Sequence, residues 1–295
     1  MLFAAIDIGS NAARLLFANA HTKNGLIKVE KASIIRIPTR LGIDVYNNKK
    51  ISKERARHFI KTMKAFKLLI ELYNPIGYKA YATAAMREAE NSEELLKKVK
   101  KETGLKIRII DGQQEAEIIR TTNRMVFPNP KPYALFMDVG GGSTELSIEK
   151  DGKLLKLKSF KIGALRLLHG TVKENVWNHM HQWLDEYKNQ FSNFHFVGTG
   201  GNINKLCKSY GNSQTQQLNI GNLDFAYKQL KILSIEERIE KFGFRPDRAD
   251  VIVPAASIYL HVMNHIGAEI MQVPRIGLAD GLIMQQYKKY MNNNN

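Results

Sequence analysis

Two short segments of the chain carry the residue types that phosphate chemistry needs. Ala5–Ala18 reads AIDIGSNAARLLFA and Phe136–Glu149 reads FMDVGGGSTELSIE, and the two align without a gap at an offset of 138 − 7 = 131 residues. Each has an apolar run, an Asp (Asp7, Asp138), one apolar residue, a Gly (Gly9, Gly140), a short polar or Gly-rich turn and a second strand-like run. An Asp that ends a buried strand can hold a metal ion, usually through water. The small residues after it let backbone N–H groups close around an anion where a side chain would block approach. One Asp-x-Gly hairpin alone is an ordinary turn. Two in register, each at the head of one half, predict a phosphate clamp. Its donors are the backbone of Gly9 to Asn11 and of Gly140 to Thr144, helped by the side chains of Ser10, Asn11, Ser143 and Thr144.

The elements that must position these turns alternate between strand and helix. The first 45 residues read as strands: LFAAIDIG, ARLLFANA and LIKVEKASIIRIPT, parted by Ser10-Asn11 and Asn24-Gly25. Ala56, Phe59, Ile60, Met63, Phe66 and Ile70 recur at helical spacing, which predicts a helix from about Lys53 to Tyr73. A short strand over Tyr78–Thr83 follows. Asn91-Ser92-Glu93-Glu94 has the form of a capping box opening a Lys-rich helix that ends at Gly104, with Lys97–Lys101 as its solvated face. A strand over Lys106–Ile110 and a helix from Gln114 to about Met125 complete the first half.

The Pro-rich segment Phe127–Pro132 is the expected crossover. YALFMDVG, TELSIEK and KLLKLKSFKIG then repeat the three-strand opening, with HFVGTG and a strand at Ile270–Val273 further on. The uncharged stretch Val251–Ala268 holds Pro254, Asn264 and two histidines, so it reads as a buried core helix and not a membrane span. A last helix is expected from Leu278 to about Tyr290, with Asn292–Asn295 frayed. The pattern is α/β. The expected boundaries are a first lobe over 1–127, a second over 128–275, and a C-terminal helix over 276–295 packing back on the first lobe.

Composition narrows the partners. With 44 Lys and Arg against 28 Asp and Glu, the net charge of +16 favours a polyanion: nucleic acid, an anionic membrane or a phosphate-rich substrate. The single cysteine, Cys207, excludes an intrachain disulfide and a cysteine-cluster metal site, and it fits a reducing compartment. MLFAAIDIGS lacks a basic n-region and reads as a first strand, so a cytoplasmic location is the expectation. Neither a Walker-type loop nor a zinc-finger or RNA-binding signature is present, so no specific nucleic acid and no membrane are expected as partners.

Duplicated hairpins of this kind resemble the actin, sugar-kinase and Hsp70 superfamily, which implies two related actin-like (ribonuclease H-like) lobes with an interdomain cleft. Further segments narrow the resemblance: Thr83-Ala84-Ala85-Met86-Arg87-Glu88-Ala89-Glu90-Asn91 after a strand, and Ile109-Ile110-Asp111-Gly112-Gln113-Gln114-Glu115-Ala116 at a strand-to-helix junction. Asp138–Glu145, Gly198–Asn202, Asp247-Arg248-Ala249-Asp250 and Gly277–Gly281 follow. In this order and spacing the chain resembles the exopolyphosphatase/guanosine pentaphosphate phosphatase (Ppx/GppA) family, in its short two-domain form.

The resemblance implies release of terminal orthophosphate from inorganic polyphosphate, from the pentaphosphate pppGpp, or from both, in a Mg²⁺- or other divalent-cation-dependent cleft. It matches Glu115 and Glu145 to the family's two essential glutamates. Glu115 is taken as general base and Glu145 as the positioning or metal-linked carboxylate, although the residues alone leave the order open. Arg87 is the charge-matched phosphate ligand, since a guanidinium fork binds phosphate bidentately. Asp138 and Asp7 are the expected carboxylates around the cation; a buried Asp hydrogen-bonded to its own loop is an equal reading for Asp7. A homodimer is implied by the resemblance alone.

Four positions depart from the family pattern: Gln114 where Glu is usual, Ala12 where Ser or Thr is usual, and Ala279-Asp280 in place of Arg-Glu. They keep open a non-catalytic polyphosphate or alarmone sensor. The paired loops alone also permit an ATP-dependent kinase or ATPase. His261 and His265 have metal-ligand spacing but lack the Glu of a zinc hydrolase motif, so core or lobe-interface histidines are expected. His179 and His181 fall on different faces of their helix, as surface and interface residues.

Overall fold

In the computed structural model, which describes residues 1–126 and 132–294, the first hairpin forms because β1 (Leu2–Ile8) is apolar at every position except Asp7. Its residues are buried on both faces, which is why its sequence does not alternate. Of the Pro-rich crossover segment, all but Pro132 lies outside the described residues. Contacts divide the chain into two units, Met1–Met125 with Ile276–Asn295, and Val126–Arg275.

In the first unit β1 pairs antiparallel with β2 (Ala13–Lys23), which pairs with β3 (Leu26–Ile37). On the other side β1 runs parallel to β4 (Tyr78–Ala82), and β4 parallel to β5 (Ile107–Ile109), giving the order β3-β2-β1-β4-β5. Between them come α1 (Leu41–Asn48), α2 (Lys53–Tyr73), α3 (Ala84–Glu88) and α4 (Ser92–Thr103). After β5 comes α5 (Gly112–Val126). The chain's last helix, numbered α13 (Leu278–Asn294), lies against the sheet, where Leu282, Ile283 and Tyr287 join Phe3, Leu16 and Ile119 in one core.

The second unit repeats this plan. β6 (Tyr133–Val139), β7 (Thr144–Lys150) and β8 (Lys153–Phe160) are antiparallel neighbours. β6 runs parallel to β9 (Phe194–Thr199), and β10 (Gln217–Asn219) and β11 (Ile270–Gln272) complete the order β10-β11-β9-β6-β7-β8. The helices are α6 (Ala164–Leu168), α7 (Glu174–Asp185), α8 (Gly201–Tyr210), α9 (Ile220–Ile232), α10 (Ile235–Phe242), α11 (Pro246–Ala249) and α12 (Ile252–Ile266). The repeat reaches fine detail. The β2–β3 register slips between Phe17 and Ala18 and the β7–β8 register between Ile148 and Glu149, again 148 − 17 = 131 residues apart.

Four expectations from sequence need correction. α1 falls where strand was expected. Its start is drawn to the first turn by Arg40 N–H on Asn11 O and Gly42 N–H on Ser10 O, tertiary bonds that eight residues of weak pattern do not reveal. The box at Asn91 does not form: its side chain instead brackets Ile51, accepting from that N–H and donating to that carbonyl, although α4 begins there and ends at Gly104 with φ +71°. The C-terminal helix runs on to Asn294. His261 is exposed and His265 half-buried, outside the core of α12. Among the described residues, no helix is long and apolar enough to cross a membrane.

Gly281 lets α13 lie directly on α5: a Cβ there would meet Thr122 Oγ1 at 2.5 Å and Ile118 O at 3.2 Å. Gly281→Ala should therefore lower the unfolding free energy by about 1–3 kcal/mol, the usual cost of overpacking. An unchanged denaturation midpoint would show that the two helices stand further apart.

Candidate active site

In the second hairpin, the strand register puts two carboxylates face to face. Asp138, near the end of β6, lies directly opposite Glu145 of β7, so both side chains leave the same face of the sheet. Oxygens of the two lie within 4.8 Å of one another. The neighbouring strands add a hydroxyl at each side. Thr199 opposes Asp138 from β9 and donates to its Oδ1 at 2.5 Å; Ser159 opposes Glu145 from β8 and donates to its Oε1 at 2.7 Å. The result is a row across four strands: hydroxyl, carboxylate, carboxylate, hydroxyl. Glu145 is 2% exposed. Like charges directly opposite one another destabilise a sheet, and an all-oxygen donor pair of this kind suits a hard divalent cation such as Mg²⁺.

The first hairpin answers the same geometry differently. Asp7 again faces the residue seven positions on, but that residue is Arg14, and its NH1 lies 2.8 Å from Asp7 Oδ2. Arg14 occupies the repeat position of Glu145 (14 + 131 = 145). The chain thus supplies its own cation to Asp7, a partnership the sequence reading missed although the alignment displays it. The Ser10 hydroxyl is likewise engaged, 2.5 Å from the buried Tyr46 Oη.

The Gly-rich turn of the second hairpin is anchored by its carbonyls. Ala164 N–H donates to Gly140 O, Leu165 and Arg166 N–H to Gly141 O, and the buried Arg166 Nε to Gly142 O at 2.6 Å. Because C=O and N–H point oppositely in a trans peptide, the N–H groups of Gly141, Gly142 and Ser143 are turned away from α6, as an anion cradle requires. Gly163 makes this approach possible: a Cβ there would lie 2.5 Å from Gly142 C and 2.6 Å from Gly141 C. The Thr144 hydroxyl donates instead to Ile162 O at 2.7 Å, so its hydrogen serves the fold. In the first hairpin, Gly9 N–H closes on Ala12 O as Gly140 N–H closes on Ser143 O.

Arg87 and Glu115 meet within the first unit. Asp111 caps α5 through Gln114 N–H, which sets Glu115 in the first turn, where the helix dipole favours a carboxylate. Arg87, on α3, donates to Ile110 O at 2.7 Å, and its NH1 stands 3.9 Å from Glu115 Oε2. A guanidinium at that distance is near enough to share a negatively charged ligand with the carboxylate without closing a tight pair.

In sequence, Tyr259 is hidden within the apolar pattern of its helix. It is wholly buried on α12, accepts from Val139 N–H at 3.2 Å and donates to Thr199 O, so it fastens the ends of β6 and β9 beside the carboxylate row. Burial, with the charges of Asp138 and Glu145, pushes its phenol well above the ordinary tyrosine range.

Duplicated β-sheets with an acidic hairpin define an actin-like phosphate-handling fold. The sequence profile of the Ppx/GppA phosphatase family matches residues 32–290, and the chain belongs to that family. It is 26% identical over 96% of its length to the bifunctional 3-dehydroquinate synthase/phosphatase of Fusobacterium nucleatum, spanning only 46% of that protein. It is 25% identical over 97% of its length to exopolyphosphatase 1 of Mycobacterium bovis, covering 88% of it. Among solved structures, the Ppx/GppA family member of Aquifex aeolicus superposes with a TM-score of 0.76 at 27% identity, over 98% of both chains.

Tyr259→Phe removes a donor and an acceptor from two buried backbone groups and should cost about 1–3 kcal/mol of stability. Because the Tyr259 phenol stays protonated where ordinary tyrosines ionise, the ultraviolet titration amplitude near pH ~10 should be the same in wild type and variant. An amplitude smaller by one tyrosine would contradict this.

Proposed function

We propose that this chain releases terminal orthophosphate from inorganic polyphosphate by attack of water, with a divalent cation, Mg²⁺ by preference, held by Asp138 and Glu145. The observation that carries the reading is the pair of facing carboxylates in one hairpin, where the sister hairpin supplies an arginine. The cation, when bound, supplies charge neutralisation at the phosphoryl oxygens. The chain's own groups do the rest. The N–H groups of Gly141, Gly142 and Ser143, with those of Ser10 and Asn11, hold the terminal phosphoryl oxygens, and Arg87 adds a bidentate cationic contact. Glu115 acts as general base on the attacking water, and Glu145 orients it.

Family membership and the names of relatives support phosphate-ester or anhydride hydrolysis, and the net charge of +16 favours a long polyanion over a single nucleotide. The pentaphosphate pppGpp ends in the same anhydride and is the second expected substrate. Of the departures that motivate a non-catalytic sensor, the Ala279-Asp280 pair serves packing and local bonding. Ala279 is buried in the core of the first unit, and Asp280 accepts from Gly277 N–H and pairs with Lys31, each at 3.0 Å.

Orthophosphate release from polyphosphate with Mg²⁺ tests the reading. Glu115→Gln and Glu145→Gln should each lower kcat by about 10²- to 10⁴-fold, as loss of a positioned carboxylate does. Asp138→Asn should raise the Mg²⁺ concentration needed for half-maximal rate, and Asp7→Asn should leave it unchanged. Absence of release from polyphosphate of any length and from pppGpp would sink the proposal, and tight binding without turnover would leave the sensor. ATP turnover exceeding both would instead favour a kinase or ATPase. Long-chain turnover should also fall with added salt more steeply than short-chain turnover, since distant charges are screened first.

A further inference from the structure

The two hydroxyls that flank the facing carboxylates belong to the pair, and the duplicated sheet supplies the comparison. Across its strands the second unit has Ser159 on β8, Glu145 on β7, Asp138 on β6 and Thr199 on β9. The same four register positions of the first unit hold Arg36 on β3, Arg14 on β2, Asp7 on β1 and Tyr81 on β4. Only the Asp is common to both rows. Where an arginine stands in place of Glu145, neither small hydroxyl is kept. One neighbour is a second arginine, and the other is a tyrosine whose ring faces Lys79 and Arg108. Small hydroxyls thus accompany the row with two anions and are missing from the row with two cations and one anion.

Each hydroxyl has one hydrogen and gives it to its carboxylate. Thr199 Oγ1 lies 2.5 Å from Asp138 Oδ1 and Ser159 Oγ 2.7 Å from Glu145 Oε1, both within the roughly 2.5–2.7 Å of a charge-assisted O–H···O⁻ bond. The other acceptor near Thr199, Met137 O, is at 3.5 Å. Thr199 is a firm donor: it is 1% exposed, β-branched and therefore stiff at χ1, and its own carbonyl takes the Tyr259 hydrogen. A carboxylate alone turns easily about its last bond, a broad torsion. A hydrogen bond to one of its oxygens sets its plane, and with it the direction in which both oxygens are presented.

We propose that Ser159 and Thr199 are positioning residues that set the planes of Glu145 and Asp138 and thereby make the pair prefer Mg²⁺ to Ca²⁺. The inference rests on the reading that these two carboxylates hold the cation. Mg²⁺ demands near-ideal octahedral placement of its oxygen ligands, whereas Ca²⁺ accepts a variable number of them in flexible geometry. Carboxylates held in fixed planes meet the stricter demand; carboxylates free to turn serve the larger ion almost as well. The hydroxyls act through the carboxylates, as the outer partners of metal ligands do.

The test uses the metal-stripped full chain without substrate. Mn²⁺ binding is read from the loss of the free-ion paramagnetic resonance signal, and the Mg²⁺ and Ca²⁺ constants from its displacement. Ser159→Ala and Thr199→Val should each raise the Mg²⁺ Kd by about 10- to 100-fold, the usual cost of losing an outer partner of a metal ligand. The Ca²⁺ Kd should rise much less, so that the preference for Mg²⁺ over Ca²⁺ falls. Ser159→Thr and Thr199→Ser, which keep a donor, should retain the wild-type preference. An unchanged Mg²⁺ Kd, equal weakening of both ions, or a preference lost in the donor-keeping variants would overturn the proposal. The two positions are on different strands, so either one decides if the variant at the other does not fold. Asp138→Asn in the same assay separates this inference from the reading beneath it. Mn²⁺ binding that survives in Asp138→Asn places the cation elsewhere and removes that reading. Binding lost there, with both ions held as in wild type by the Ser159→Ala and Thr199→Val chains, overturns the positioning role alone.

Discussion

Two negative charges directly opposed on adjacent strands are what the second unit is arranged around. Asp138, half-buried, and Glu145, buried, face each other, and a hydroxyl from the strand on each side donates into the pair. The neighbouring elements keep this row in place. Tyr259 ties together the ends of the two strands that bear Asp138 and Thr199, and Arg166 and the first residues of α6 hold the turn between the carboxylates by its carbonyls. Without a compensating positive charge such a pair is unfavourable. That is the physical reason for reading it as a place for a cation.

The first unit shows the same backbone relieved of that demand. Its hairpin turns in the same way and its Asp sits at the same point, but Arg14 stands where the second unit has Glu145. One substitution in a duplicated element thus separates a self-neutralised hairpin from one that calls for an ion. The backbone amides of both turns remain alike, so the two halves differ in charge more than in shape.

Much of this was legible in sequence because it is local. The gapless 131-residue repeat gave the strand openings, and the spacing of Phe59, Met63, Phe66 and Ile70 gave α2 with its boundaries. What was not legible depends on partners distant along the chain. The start of α1 is held by carbonyls of Ser10 and Asn11, and Asn91 brackets Ile51 instead of capping its own helix. Ser159 is unremarkable as a residue until strand register sets it against Glu145. Tyr259 was hidden for a different reason: in a helix this apolar, a phenol reads as one more core ring. The stacking of His181 on His261 and His265 was half visible, since the last two stand one turn apart on α12, but His181 comes from α7, 80 residues before His261.

The matching slips in strand register at Phe17/Ala18 and Ile148/Glu149 have a consequence of another kind. Side chains at these sites differ, an aromatic and an alanine in one half and an isoleucine and a buried glutamate in the other, yet the irregularity stands at the same step of the repeat. A misfit in pairing is harder to erase than a residue, because removing it would turn every following side chain of the strand to the opposite face. It is therefore a durable record of common ancestry for the two halves, one that outlasts the identities of the residues it displaces.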